Sequence, residues 1–212
     1  MLILPTMGRP HNLKRFVDTY LATEATIPIY IIFDAADAHN YVNVDVPKHF
    51  KRTSVPAGTR LGDIYRIIFH NFPNEAFYGV VADDLVPETP HWDVKLRDAC
   101  LPNKIAWGFD GIQNERLPTH PFIGGELLRK LGWWAVPGVQ HWFIDNVWKI
   151  LADELKVGVY LPEVRMMHHH VMNQKAPLDH TYANQPDTNK DQAAYLHFMQ
   201  YEMPAALARA RG

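Results

Sequence analysis

Apolar positions along the chain fall into short runs separated by polar or proline-rich turns, and their spacing predicts alternating strands and helices. Leu2-Ile3-Leu4 reads as a first strand entering the turn-rich Pro5-Thr6-Met7-Gly8-Arg9-Pro10. Leu13, Phe16, Val17, Tyr20 and Leu21 then recur at helical spacing, with Asn12 placed as the N-cap. Ile27 to Phe33 forms a second apolar run that ends at Asp34. Strand, loop, helix and strand in this order are a βαβ unit with a parallel sheet. A polar loop, a short strand over Phe50 to Val55 and a helix marked by Leu61, Ile64, Tyr65, Ile68 and Phe72 follow. The run Phe77-Tyr78-Gly79-Val80-Val81-Ala82 then predicts a buried strand that delivers Asp83 and Asp84 to its carboxyl end, with Pro87 as the stop.

The second half continues the alternation. Thr89-Pro90 is expected to open a helix whose inner face carries Trp92, Leu96 and Cys100. Ile105 to Phe109 reads as a strand, and Gly111 to Pro121 as a loop exposing Asn114, Glu115, Arg116 and His120. After a short helix stopped by Gly132 come an aromatic, turn-rich stretch and a helix with Ile144, Val147, Trp148, Leu151 and Leu155 on one face. Two strands, Val157 to Leu161 and Val164 to Met167, are expected on either side of Pro162, the second running into His168-His169-His170. Asn173 to Lys190 is polar and suits a long lid-like loop, and Asp191 to Arg211 a helix interrupted at Pro204.

Composition narrows the class. A chain of 212 residues with 47% hydrophobic positions suits one α/β domain. A net charge of −2 excludes the overall basic field of a general nucleic-acid binder. Cys100 is the lone cysteine, so no internal disulfide is possible. No apolar run approaches the ~20 residues that span a bilayer, and the apolar start is too short for a signal peptide, so a soluble cytoplasmic protein is expected. The first loop lacks G-x-G-x-x-G, which argues against a dinucleotide-binding enzyme.

Five groups of residues carry candidate chemistry. Asp83 and Asp84 at a strand end suit a divalent cation and the phosphate it holds, or a capped turn. His168 and His170, two apart on a strand, face one side and would add nitrogen ligands suited to Mn²⁺; the alternative is a polar surface run. Asp145, flanked by Trp142, Phe143 and Trp148, suits a general base or a helix-start carboxylate. Arg9 and Arg60, each before a helix, suit phosphate or solvent. Trp133, Trp134 and Trp142 could stack on a sugar or anchor the fold.

In their order along the chain these stretches resemble the GT-A-fold glycosyltransferases of the family 2 type. Leu2-Ile3-Leu4-Pro5-Thr6-Met7-Gly8-Arg9-Pro10 looks like their opening strand and turn, and Asp34 matches the acid that contacts the nucleotide base. Ala57-Gly58-Thr59-Arg60-Leu61-Gly62 resembles the loop bordering the nucleotide. Ala82-Asp83-Asp84 matches the D-x-D position, with Ala82 replacing the first acid, and Asp145 the catalytic base, with Ile144 where an acid usually precedes it. The resemblance implies one GT-A-like domain: a nucleotide-sugar-binding half over residues 1–90, an acceptor-binding half over 91–172, and a lid with a C-terminal helix over 173–212. It further implies transfer from a nucleotide-diphosphate sugar to an acceptor hydroxyl with inversion, dependent on Mn²⁺ or Mg²⁺. Asp84, His168 and His170 would hold the metal, and Pro5, Thr6, Arg9, Asp34, Arg60, Gly62, Asp83 and Lys175 the donor. The acceptor stays open among a saccharide, a lipid-linked sugar, a protein or a modified nucleic-acid base. A sugar-phosphate nucleotidyltransferase and a non-catalytic carbohydrate-binding protein on the same fold are the rival readings.

Overall fold

A computed structural model describes residues 1–183 and 187–212. Strand β1 (Leu2–Thr6) is followed by helix α1 (Pro10–Ala22), β2 (Ile29–Asp34), β3 (Lys51–Val55) and α2 (Leu61–Asn71). Then come β4 (Phe77–Val80), β5 (Leu85–Pro87), α3 (Trp92–Cys100), β6 (Ile105–Phe109) and β7 (Phe122–Gly124). Helices α4 (Gly125–Leu131) and α5 (Ile144–Glu154), strand β8 (Gly158–His168) and helices α6 (His180–Ala183), α7 (Thr188–His197) and α8 (Met203–Arg211) complete the chain.

The strands form one eight-stranded sheet in the order β3-β2-β1-β4-β7-β6-β8-β5. β3, β2, β1 and β4 run parallel, as do β6 and β8, while β7 lies antiparallel between β4 and β6. Being antiparallel to both neighbours, β7 leaves β4 and β6 pointing the same way. The carboxyl ends of β1, β2, β4, β6 and β8 therefore share one edge, where open α/β sheets bind their ligands.

Both sheet faces are covered, as a mostly parallel sheet requires. Alternation in β1 sends Ile3 to one side and Leu2 and Leu4 to the other. Ile3 belongs to a core built with Ile64 and Ile68 of α2, Leu127 and Leu128 of α4, Val147 and Leu151 of α5 and Ala206 of α8. Leu2 and Leu4 join Leu13, Phe16 and Tyr20 of α1 and Trp92, Leu96 and Cys100 of α3.

Four local expectations need correction. Asn12 is not an N-cap: α1 begins at Pro10, and Asn12 is buried inside it. β4 ends at Val80, so the acids sit in the turn that follows, and Pro87 is not a stop but belongs to β5. α3 starts after His91; Thr89 is engaged instead with Glu163 and Arg165 of β8. β8 is one strand of 11 residues rather than two. Its pairing with β6 jumps from Gly108↔Leu161 to Phe109↔Arg165, so Pro162 falls in a bulge where no ladder donor is needed. At the C terminus, a π turn over Phe198–Glu202 separates α7 from α8, with Pro204 in the first turn of α8.

Candidate functional site

The shared strand edge opens into a cavity of about 580 Å³ lined from both halves of the chain. Pro5, Thr6, Arg9, Asp34, Arg60, Asp83, Asp84, Asp145, His168 and His170 all contribute to its wall. Gly62 and Lys175 are not in that wall. A Cβ on Gly62 would lie 2.2 Å from the Val139 carbonyl oxygen, and its N–H donates to Gln140 O at 2.7 Å, so Gly62 joins α2 to the loop before α5. Lys175 is exposed on the segment after β8.

The cluster at its base is built around Arg9, which is 5% exposed. One guanidinium nitrogen lies 3.3 Å from Asp84 Oδ2 and 3.6 Å from Asp83 Oδ1. Thr6 Oγ1 donates to Asp83 Oδ2 at 2.5 Å and meets the Tyr41 hydroxyl at 3.0 Å. The same hydroxyl accepts the Arg9 backbone N–H at 2.9 Å. Buried Tyr41 thus ties the end of β1 to the start of α1.

The two acids differ in proton affinity. Burial, reinforced by the charge of Asp84, raises the Asp83 pKa to about 7. Burial acts on Asp84 as well, but the hydrogen bond and charge of His168, with further help from Arg9, outweigh it and keep the carboxyl below its ordinary range. At neutral pH Asp84 is the firmly ionised member.

β8 supplies the next layer. Pairing of Leu85 with His168 brings the strand end beside the acids, and His169 N–H donates to Asp84 O at 2.9 Å. His168 Nε2 lies 3.3 Å from Asp84 Oδ1. The His170 ring is 5.1 Å from that of His168, and its Nδ1 accepts the Met172 N–H. Among the described residues, no three His, Cys, Asp or Glu side chains already converge as a cation cage. Asp84 and His168 are two adjoining oxygen and nitrogen donors, with Asp83 beside them. A Mn²⁺ or Mg²⁺ ion fits such a partial set when further oxygen ligands come from outside the chain.

Asp145 lines the same cavity from the first turn of α5, directly after Phe143 (φ 68°) and Ile144. Burial raises its pKa despite hydrogen bonds from the local backbone. Asp34 is held by the backbone N–H groups of Ala36 and Gly58, at 2.8 and 2.7 Å. Of the tryptophans, Trp134 is buried in the core, Trp133 packs on Trp148, and Trp142 reaches the cavity.

Several site residues escaped the reading of the sequence. Asp110, just past β6, is 3% exposed and accepts three backbone N–H groups of the following loop and the Thr119 hydroxyl. It ends an apolar run as Asp34 does, a signal open to view in the sequence. His120 is not an exposed loop residue: it lines the cavity with its ring 5.0 Å from His168, and burial, aided by His168, lowers its pKa to about 3. Asp191 of α7, 1% exposed, accepts the N–H groups of Gln140, His141 and Trp142 at 2.9, 2.7 and 2.7 Å. No local pattern announces that role. Asp191→Ala leaves three half-buried donors without their acceptor, at a cost of about 3 kcal/mol. Its melting temperature is expected to fall by about 6–12 °C in differential scanning calorimetry; an unchanged value would remove Asp191 as the brace of this loop.

No family model matches the chain, and no match was found among the curated proteins. Solved structures do share its fold. Glucosyl-3-phosphoglycerate synthase from Mycobacterium tuberculosis, in complex with Mn²⁺, uridine diphosphate and glucosyl-3-phosphoglycerate, aligns over 99% of this chain and 78% of its own at 12% identity, with a TM-score of 0.58. S. aureus TarS aligns over 95% and 72% at 14% identity and a TM-score of 0.56. A candidate nucleotide-diphospho-sugar transferase from Desulfovibrio desulfuricans G20 aligns over 99% and 96% at 13% identity and a TM-score of 0.53. The fold is therefore that of the GT-A-type nucleotide-diphospho-sugar transferases. Among the described residues, no helix is long and apolar enough to cross a membrane.

Proposed function

We propose that the chain is a glycosyltransferase that moves a sugar from a nucleotide-diphosphate donor to an acceptor hydroxyl. One observation carries the reading: the buried Arg9–Asp83–Asp84 cluster and the half-buried Asp145 line the same cavity, at the carboxyl edge of a GT-A-type sheet. Such an arrangement offers a phosphate-binding end and a proton-accepting end around one space. Asp34, Thr6 and Pro5 border the nucleoside, and Arg9 and Arg60 offset phosphate charge. Asp84 and His168, with Asp83 or His170, would hold Mn²⁺ or Mg²⁺. When bound, that ion supplies positive charge to the departing diphosphate.

Asp145 takes the proton of the acceptor hydroxyl, and attack from the side opposite the diphosphate gives inversion. The N-terminal end of α5 and its own backbone hydrogen bonds hold the carboxylate in place, and desolvation strengthens it as a base. Because its folded pKa lies above the ordinary 3.8, protonation silences the base at a higher pH than for an exposed carboxylate. Transfer is expected to rise with pH along an acidic limb, and that limb is absent from Asp145→Asn. A pH–rate profile of both proteins checks this.

A thermal-shift screen of nucleotide sugars, with and without Mn²⁺, tests the general reading. The fitting donor raises the melting temperature, and Mn²⁺ enlarges the rise. Release of a nucleoside diphosphate on addition of acceptor identifies transfer, whereas release of pyrophosphate would assign the cavity to nucleotidyl transfer. Sugar binding with no nucleotide dependence would make the protein a carbohydrate binder.

A further inference from the structure

We infer that Asp179 is an internal stand-in for a donor phosphate, seated on Arg9 and displaced when the diphosphate arrives; this rests on the donor reading given above. Arg9 presents two faces. One nitrogen turns inward to Asp84 and Asp83, whereas Nε and the other terminal nitrogen turn to Asp179, at 2.7 Å from Oδ2 and 2.9 Å from Oδ1. Two parallel N–H···O bonds to one planar anion are the fork by which a guanidinium takes either a carboxylate or a phosphate. The fork belongs to a cavity-lining arginine, and the carboxylate reaches it from 170 residues away in the chain.

Asp179 comes from the segment between β8 and α7, and its side chain is 32% exposed, far more than the 7% of Arg9. The same segment is pinned at a second point, where Thr181 Oγ1 donates to Met7 O at 3.0 Å in the β1–α1 turn. Thr181 also lines the cavity. The segment thus rests on the turn that carries Arg9, with its acid placed on the one edge of the guanidinium that Asp83 and Asp84 do not use.

Charge makes the two occupants exclusive. Three carboxylates already surround a single guanidinium. A diphosphate oxygen brought to the same fork would add negative charge beside Asp179 at contact distance, in a partly buried place where such repulsion is weakly screened. Either the phosphate takes the fork and Asp179 withdraws, or the fork stays closed. The apparent donor affinity is then reduced by the fraction of molecules in which Asp179 is seated.

The test is isothermal titration of the full chain with UDP, GDP, ADP, CDP and dTDP in the presence of Mg²⁺, and with the matching nucleosides. Asp179→Asn keeps the side-chain volume and loses the charge. It is expected to tighten the fitting diphosphate about tenfold and to leave the nucleoside unchanged. Asp179→Ala follows the same direction. With Arg9→Ala in the background, Asp179→Asn has no further effect, because the fork they compete for is gone. Unchanged or weaker diphosphate binding in folded Asp179 variants overturns this inference alone. A native chain and variants that melt cooperatively yet bind none of the diphosphates overturn the donor reading, and this inference with it.

Discussion

Asp145→Asn is expected to lower transfer turnover by about 10²–10⁴-fold, the span assigned to a positioned general base, while donor affinity stays close to that of the native protein. The substitution is nearly isosteric, so Asn can keep the backbone hydrogen bond to the Asn146 N–H that orients the side chain. What it cannot do is take a proton. Among the described residues Asp145 makes no hydrogen bond or ion pair to the Arg9 cluster, so the loss falls on kcat rather than on nucleotide binding. Stopped assays for sugar transfer, with Kd for the donor measured in parallel, separate the two. Full transfer by the variant would remove Asp145 as the base.

Asp84→Ala carries the second large effect, a loss of about 10²–10³-fold in donor activation together with the Mn²⁺-dependent part of the donor thermal shift. Asp84 contacts both His168 and Arg9, and its carboxyl is held ionised below the ordinary range. Asp83→Asn should do much less. Burial and the neighbouring Asp84 raise the Asp83 pKa to about 7, which weakens its charge at neutral pH, and the Thr6 hydroxyl holds it. The two adjacent acids share the Arg9 guanidinium but differ in their other partner, a histidine for Asp84 and a hydroxyl for Asp83. Metal-dependent hydrolysis of the donor that survives intact in Asp84→Ala would end the metal assignment.

Much of the fold was legible because its cause is local. The strands at Leu2, Ile29, Lys51, Phe77 and Ile105 and the helices over Leu13–Tyr20, Leu61–Phe69 and Ile144–Leu151 follow from runs and periods that a short window registers. Errors arose where distant partners decide. Pro162 looks like a break until β6 is placed beside it and the bulge absorbs the missing N–H. Asn12 has the right chemistry for a cap, yet Pro10 starts the helix earlier and Asn12 is drawn inward to Asp83.

The candidate site divides in the same way. Arg9, Asp34, Asp83, Asp84 and Asp145 sit at the ends of apolar runs or the starts of helices, so topology predicts their arrival at one edge. Asp110, which follows an apolar run in the same fashion, was within reach of that argument. Asp179 and Asp191 were not. Each acts on groups scores of residues away, from a polar stretch whose composition reads only as loop or helix surface.

The short backbone stretch from Val139 to Trp142 has a consequence for how such a chain can change. Its Gln140 carbonyl is held by Gly62 at the head of α2, and its N–H groups by Asp191 on α7. The start of α2, the loop before α5 and helix α7 therefore meet in one span of backbone. Swapping one half for that of a relative would break the match unless the α7 acid and the close-packed glycine travelled with it. In this architecture the three segments would have to be exchanged as one set rather than singly.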